Sequence, residues 1–146
     1  MAKIIGIDLG STYSVAAVID EIGTPQIVEE KDKKRNDNLI PSVISIDNDG
    51  SVKVGESPRR SLEMDENTVS RWKRHMGTSK KFNIHGQKYK PEDLSALLLR
   101  EIKKIVEETQ GDIAHVVVTI PANFSSNARE ATLKAAKNAG LNIENL

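Results

Sequence analysis

The sequence predicts an α/β fold in which a main layer of strands and helices is joined by a smaller, inserted α+β subdomain. Lys3–Leu9 and Tyr13–Asp20 are apolar segments rich in Ile, Val and Ala, which is typical of paired strands. Pro91–Glu108 carries apolar residues at three- and four-residue spacing, which indicates an amphipathic helix. The apolar run Ala114–Ile120 follows it. Strand, helix and strand in this order favour an α/β layer.

The composition limits the class of protein. The 146 residues suit one globular domain, and 21 basic residues balance 21 acidic ones, which argues against nucleic-acid binding. There is no cysteine, so disulfides and thiolate metal sites are excluded. No apolar run approaches the ~20 residues of a membrane helix, and the N-terminus lacks the apolar region of a signal peptide. We therefore predict a cytoplasmic protein without nucleic-acid or membrane partners.

Between the first two strands and the long helix, the predicted elements are short. Turn residues such as Gly, Pro, Asn and Asp separate them. They comprise strands at Gln26–Glu29, Ser42–Asp47 and Val52–Val54, a polar loop at Lys31–Asn38, short helices at Ser57-Pro58 and Thr68–His75, and a hairpin turning at His85-Gly86.

The C-terminal part of the chain is predicted to form a buried strand and a second helix. Ala114–Ile120 is almost continuously apolar, which is typical of a strand covered on both faces. Pro121 ends the strand, and Gly140 ends the helix that follows. A further strand is expected to start at Leu141. The helix would be capped by one of three polar residues and packed through an alanine stripe: Ser125, Ser126 or Asn127 for the cap, and Ala128, Ala131, Ala135 and Ala139 for the stripe.

The turn "DLGSTY" between the first two strands carries more polar chemistry than a hairpin needs. Gly10 allows a ligand to approach the backbone closely, and the N–H groups after it can converge on an anion. The hydroxyls of Ser11 and Thr12 can bind phosphate oxygens, and the Asp8 carboxylate can hold a hydrated Mg²⁺. The pattern fits the terminal phosphates of a nucleotide. A plain hairpin turn with a surface aspartate explains the six residues equally well.

Three segments resemble the heat-shock protein 70 (DnaK-type) chaperones. "IGIDLGSTYS" is similar to the family's first phosphate-binding segment. "VGESPRR" followed by "NTVSRWKRHMG" resembles the segment with its catalytic lysine, and "VVVTIPANFSSNAREATLKAAKNAGL" resembles a strand exit and the helix after it. The segments occur in the family's order, so the resemblance covers the whole chain.

This resemblance implies the N-terminal part of a nucleotide-binding ATPase domain that uses ATP or ADP and Mg²⁺. The fold would be one lobe of an actin-like ATPase, a ribonuclease-H-like mixed sheet with flanking helices. Residues 1–29 and 108–146 would form the core lobe, and residues 30–107 a smaller inserted subdomain.

The resemblance also implies a role for individual residues. Lys73 and Asp8 would be catalytic, and Asp8 would hold Mg²⁺ through water. The β- and γ-phosphates would be bound by the turn residues Gly10, Ser11, Thr12 and Tyr13. Pro121 and Arg129 would pass the nucleotide state to a neighbouring domain. Without the resemblance, Lys73 and Arg129 would be interpreted as solvated surface residues.

The implied parent protein is a stress-response chaperone that hydrolyses ATP slowly and thereby controls its binding of unfolded polypeptide clients. A J-domain co-chaperone and a nucleotide-exchange factor would be its partners. Because the chain stops at Leu146, before the family's second phosphate loop, we expect a fragment of a longer protein. Alone it would be inactive, would bind ATP weakly or not at all, and would self-associate through an apolar face or a strand edge left open.

The chain departs from the family pattern at a few positions. Ser11 replaces a threonine, Asn123 replaces a tyrosine, and Leu39 and Ile40 replace polar residues in the loop before Pro41. The sequence also allows two alternatives to the chaperone. One is another actin-like ATPase, either a filament protein or a sugar or acid kinase. The other is a non-enzymatic interaction module that kept the fold and lost the chemistry.

Overall fold

A computed structural model describes residues 3–28 and 39–143 of the chain. Strands dominate the first part of the chain, and the two long helices lie toward its C-terminal end, as the sequence predicts. The strands are β1 (Lys3–Leu9), β2 (Tyr13–Ile19), β3 (Pro25–Ile27), β4 (Ile40–Pro41), β5 (Val43–Ile46), β6 (Val52–Val54), β7 (Thr68–Ser70), β8 (Phe82–Ile84), β9 (Gln87–Tyr89) and β10 (Ile113–Thr119); the helices are α1 (Glu56–Arg59), a 3-10 helix (Trp72–His75), α2 (Pro91–Gln110) and α3 (Ser126–Asn138).

The main sheet is mixed. Its strand order is β10-β1-β2-β3, and β4 also pairs with β2. β1 is antiparallel to β2 but parallel to β10, so the carboxyl ends of β1 and β10 lie side by side. In this register Asp8 is the partner of Thr119. The fold therefore places the end of β10 beside the turn that follows β1.

One continuous apolar core joins the main sheet to α2 and α3. Ile5, Ile7 and Leu9 alternate along β1 and are fully buried, together with Leu98 and Ile102 of α2. The alanine stripe of α3 is buried as predicted, because small side chains allow close packing. The alternation in β1 and the stripes on the two helices confirm the predicted α/β layer.

The prediction that both faces of β10 are covered is wrong. Val116 and Val118 are buried, whereas His115, Val117 and Thr119 are exposed. Val117 is 51% exposed. The apolar run does not predict burial of both faces, because β-branched residues favour a strand whether or not its second face is covered.

β5, β6 and β7 form a small sheet separate from the main one. β5 pairs with β6 and with β7, and the hairpin β8–β9 turns at His85-Gly86 as predicted. The helix predicted for Thr68–His75 is wrong in its first half. Thr68–Ser70 pairs with β5, and only Trp72–His75 is helical. Arg71 separates them with a left-handed backbone, φ 57°, which ends the strand.

Two further boundaries differ from the prediction. The third strand is Pro25–Ile27, while Glu29 and the polar loop Lys31–Asn38 lie outside the described residues. No strand forms over 141–143, the described part of the segment expected to start one at Leu141. The Asn142 carbonyl still accepts a hydrogen bond from the Val116 N–H at 3.0 Å, so the segment runs beside β10 without joining the ladder.

The helix ends follow the expected capping chemistry. α2 begins at Pro91, and the Asp93 carboxylate accepts a hydrogen bond from the Lys90 N–H at 2.9 Å. Ser125 is the N-cap of α3 and accepts from the Ala128 N–H at 3.1 Å. In the described part of the chain, no helix combines the length and the apolar character needed to cross a membrane.

Candidate functional site

The turn after β1 is rigidly held from one side. At Gly10 there is no room for a side chain, because an added Cβ would overlap the Tyr13 carbonyl oxygen. Ser42 donates its hydroxyl to the Gly10 carbonyl at 2.8 Å and its N–H to the Thr12 carbonyl at 2.9 Å. The buried hydroxyl of Ser14 lies 2.9 Å from that of Ser42. Two points of the turn are thus fixed by one buried residue, which pre-forms its shape.

Replacing Gly10 with alanine is expected to distort this turn. The overlap involves backbone, so the turn must open, and we expect the free energy of unfolding to fall by about 1–3 kcal/mol. Gly6→Ala is the control, on the strand that leads into the turn, since an added Cβ there meets nothing within 4 Å. Chemical denaturation of both variants measures the difference. Equal stability of the two would contradict the close approach at Gly10.

Asp8 stands at the end of β1 with its side chain exposed. Its Oδ1 accepts a hydrogen bond from the Thr119 hydroxyl at 2.8 Å. The parallel pairing of β1 and β10 produces this contact, and ligands of α/β sheets commonly bind beyond the carboxyl ends of such strands. The hydrogen bond orients the carboxylate toward the same edge of the sheet as the turn.

Lys73 is the buried cation of the site. It is 7% exposed, and its Nζ lies 5.5 Å from the centroid of the Phe124 ring. Burial lowers the pKa of the Lys73 ammonium below its usual 10.5, while attraction to the Asp8 carboxylate partly restores the pKa. Lys73 is therefore not the solvated surface lysine that would be expected without the resemblance. It is electrostatically attracted to Asp8 and lies against Phe124 in the segment after β10.

The segment around Lys73 is anchored to both long helices. The buried Trp72 indole donates to the Ser95 hydroxyl of α2 at 3.0 Å. Met76 packs in an apolar cluster with Ala128 of α3. At Gly77 the chain passes so close to α3 that an added Cβ would lie 2.6 Å from the Ala128 nitrogen. These contacts hold the 3-10 helix, and with it the backbone of Lys73, in one position.

The lowered pKa of Lys73 gives a pH-dependent cost to folding. Between the folded pKa and 10.5 the unfolded state binds more protons, so stability rises with pH in that interval. Lys73→Met is expected to raise the free energy of unfolding by roughly 1 kcal/mol at neutral pH, because a buried charge is removed. This gain should shrink as the pH approaches 10.5. Lys104→Met, an exposed position on α2, is the control. Thermal unfolding at a series of pH values measures the gain in stability. A gain that does not depend on pH would contradict the lowered pKa of Lys73.

Pro121 and Arg129 lie beyond the same end of β10. The Pro121 carbonyl accepts from the Phe124 N–H at 3.1 Å in a tight turn, and Arg129 stands in the first turn of α3. Both side chains are exposed. Within residues 3–28 and 39–143, neither side chain is hydrogen-bonded or ion-paired with Asp8 or Lys73. Their predicted role in signalling between domains stays a prediction.

Three residues of the site were not predicted from the sequence. Ser42, Thr119 and Phe124 each contact a predicted residue, yet they lie far from it along the chain. The only sequence sign of Thr119 is that it is polar near the end of an apolar strand. The roles of Ser42 and Phe124 depend on tertiary contacts that have no local pattern.

The site offers one carboxylate rather than a cluster of metal ligands. Across the described ranges, no group of three or more His, Asp or Glu side chains could hold a metal ion. Asp8 alone fits Mg²⁺, which keeps most of its waters and binds through one or two carboxylates and substrate phosphates. A closed metal cage does not fit these residues.

Comparison with known proteins identifies similar chains. The family model described as Hsp70 protein matches residues 4–85 and 79–146. The chaperone protein DnaK of Mycoplasma mobile is 43% identical over 145 residues, which is 99% of this chain and 23% of that protein. DnaK of Mycoplasmopsis agalactiae is 43% identical over 146 residues, 98% of this chain and 24% of that protein. The chain thus spans about a quarter of the length of these curated relatives.

Proposed function

Because the chain belongs to the Hsp70 family, we propose that it forms the N-terminal part of the ATPase domain of a DnaK-like chaperone. The observation that carries the proposal is a pre-formed turn, Gly10–Tyr13, that follows the Asp8 carboxylate, to which the buried Lys73 cation is electrostatically attracted. Positioned positive charge beside a phosphate turn is what phosphoryl transfer requires.

The turn is assigned to the β- and γ-phosphates of ATP. Gly10 allows the turn to close tightly against the Tyr13 carbonyl. The N–H groups and hydroxyls of Ser11, Thr12 and Tyr13 would bind the phosphate oxygens. Asp8 would hold Mg²⁺ through its waters, and the ion, when bound, neutralises phosphate charge. Lys73 would stabilise negative charge on the γ-phosphate and orient the attacking water.

We further propose that the chain is one lobe of an actin-like fold. Residues 1–29 and 108–146 are assigned to the core lobe and residues 30–107 to an inserted subdomain. The separate small sheet of β5, β6 and β7 supports an insertion. The apolar core, which includes residues of α2 as well as β1, supports close packing of the two parts. Ile40, one of the two apolar replacements before Pro41, is buried in this core.

For the complete protein we propose a cytoplasmic chaperone of the stress response. Its ATPase cycle would control binding of unfolded polypeptide segments, with a J-domain co-chaperone and a nucleotide-exchange factor as partners. Pro121 and Arg129 would transmit the nucleotide state to the peptide-binding domain, since both are exposed next to the segment that contacts Lys73.

Peptide release by the full-length protein tests this proposal. A fluorescently labelled unfolded peptide is bound without nucleotide, and Mg-ATP is then added. We expect release to accelerate with ATP and not with ADP. If release does not depend on the nucleotide and phosphate is transferred to a sugar or acid, a kinase would be favoured. ATP-dependent light scattering would favour a filament protein, and no response to ATP would favour an interaction module.

The chain of 146 residues by itself is expected to bind Mg-ATP weakly or not at all. Its turn and Lys73 would contact the phosphates from one side only, whereas pockets for larger ligands normally bury most of the ligand. Isothermal calorimetry of this chain beside the full-length protein makes the comparison. Micromolar affinity for the isolated chain would contradict the expectation.

The uncovered face of the main sheet is expected to drive self-association. Val117 and Ile27 are about half exposed and lie in one row across four strands, through Gly6 and Ala17. Exposed apolar faces of this kind commonly mark interfaces. Sedimentation at increasing concentration should show dimers or larger species, and Val117→Lys should reduce them. Ile22→Lys is the control, since Ile22 is exposed but lies in the turn after β2. A strictly monomeric wild-type chain would contradict the prediction.

A further inference from the structure

A small cavity lies beside the phosphate turn, next to the inserted sheet. Its volume is about 200 Å³. Pockets for drug-sized ligands measure ~300–1,000 Å³, so this cavity suits a small ion rather than a nucleotide. The turn, β5, α1 and the segment before the 3-10 helix contribute to its wall; the lining includes Ser11, Thr12, Tyr13, Arg59, Ser70 and Arg71.

The charge in this lining is of one sign. Arg59 and Arg71 are its two ionised side chains, and no carboxylate lines the cavity. The Arg59 guanidinium stacks over the Tyr13 ring, 5.3 Å from its centroid, which fixes its orientation. Glu56 contacts Arg59 at 3.4 Å from outside the lining and neutralises part of that charge. Arg71 has no such ion pair among the described residues.

Arg71 occupies a conformation that costs stability. Its φ of 57° and ψ of 17° lie in the left-handed region, which residues other than glycine, asparagine and aspartate rarely adopt. Strained residues of this kind persist where the surrounding structure fixes them, and they cluster at functional sites. A glycine would adopt this backbone without strain but would bring no charge to the cavity. Arg71 places a guanidinium there.

We propose that this cavity is a binding site for a phosphate-sized oxyanion, held by Arg59 and Arg71. Guanidinium groups bind phosphate through paired, charge-assisted hydrogen bonds, and the hydroxyls of Ser11, Thr12 and Ser70 supply further donors. The site is distinct from the one assigned to the γ-phosphate, since Lys73 and Asp8 do not line it. The two sites share only the turn residues Ser11, Thr12 and Tyr13.

Titration of the chain with inorganic phosphate, followed by ³¹P NMR line broadening, tests the site without any nucleotide. The measurements are made in a Lys73→Ala background, so that the Lys73 cation does not contribute. In that background phosphate should still bind, and Arg71→Gln or Arg59→Gln should weaken it about tenfold or more. Arg60→Gln is the matched control, because Arg60 neighbours Arg59 but does not line the cavity, and it should change the affinity less than twofold.

Arg71→Gly separates binding from folding. Glycine adopts the left-handed backbone freely, so this variant should melt no lower than wild type while losing phosphate. Three results would overturn the site: no phosphate binding in the Lys73→Ala background, binding unchanged by Arg71→Gly and Arg71→Gln, or an equal loss in Arg60→Gln. The outcome is independent of ATP-driven peptide release, so failure of one proposal does not imply failure of the other.

Discussion

Replacing Lys73 with alanine in the full-length protein is expected to lower single-turnover ATP hydrolysis by about 10²–10³-fold, the usual cost of losing one positioned charge. ATP binding should change only a few-fold, because the turn Gly10–Tyr13 and its hydrogen bonds to Ser42 do not involve the Lys73 side chain. Burial of the ammonium against Phe124 strengthens its interaction with a developing negative charge, since little water competes there.

Arg74→Ala is the matched control for this measurement. Arg74 is the next residue on the same 3-10 helix, and its side chain is exposed. The Arg74→Ala substitution removes one positive charge from the same segment but keeps the buried ammonium of Lys73, so hydrolysis should stay within a few-fold of wild type. Rapid-quench measurement of phosphate release, with binding measured separately by calorimetry, distinguishes the chemical step from affinity. Wild-type hydrolysis in Lys73→Ala would exclude Lys73 from the mechanism.

The sequence predicts those parts of the fold whose pattern is local. β1, α2 and the hairpin β8–β9 agree with their predictions because each has its own periodicity or turn residues. The turn Asp8–Tyr13 was recognised for the same reason, since all of its polar chemistry lies in six consecutive residues. Resemblance to a family added Lys73, which no local pattern distinguishes from the charges around it.

The remaining parts depend on contacts between distant segments. Thr68–Ser70 has no strand pattern of its own and becomes a strand because β5 offers a free edge. Thr119 reaches Asp8 only because β1 and β10 are parallel neighbours in register. The exposed face of β10 is determined by what packs against it, and an apolar sequence cannot reveal that. Tertiary pairing therefore decided both the errors in the fold and the missed residues of the site.

Trp72 connects the stability of the chain to the position of Lys73. Its side chain is 2% exposed and packs in the main core, and its indole N–H donates to Ser95, which also lies 3.5 Å from the Met76 sulfur. Trp72 precedes Lys73 on the 3-10 helix, and Met76 directly follows the end of that helix. A change at Trp72 therefore acts on the core and on the segment that carries Lys73 together.

Trp72→Ala is expected to lower the free energy of unfolding by about 3–5 kcal/mol, the usual cost of emptying a buried tryptophan site. In the full-length protein it should also reduce ATP hydrolysis at temperatures where the variant is still folded, because the 3-10 helix loses its anchor on α2. Trp72→Phe is the control: it keeps a buried ring, loses the hydrogen bond to Ser95, and should cost about 1–3 kcal/mol. Urea denaturation and hydrolysis rates at low temperature measure both effects. If Trp72→Ala lowered stability but left hydrolysis unchanged, Lys73 would be positioned by its contacts with α3 alone, and the anchor on α2 would serve only the core.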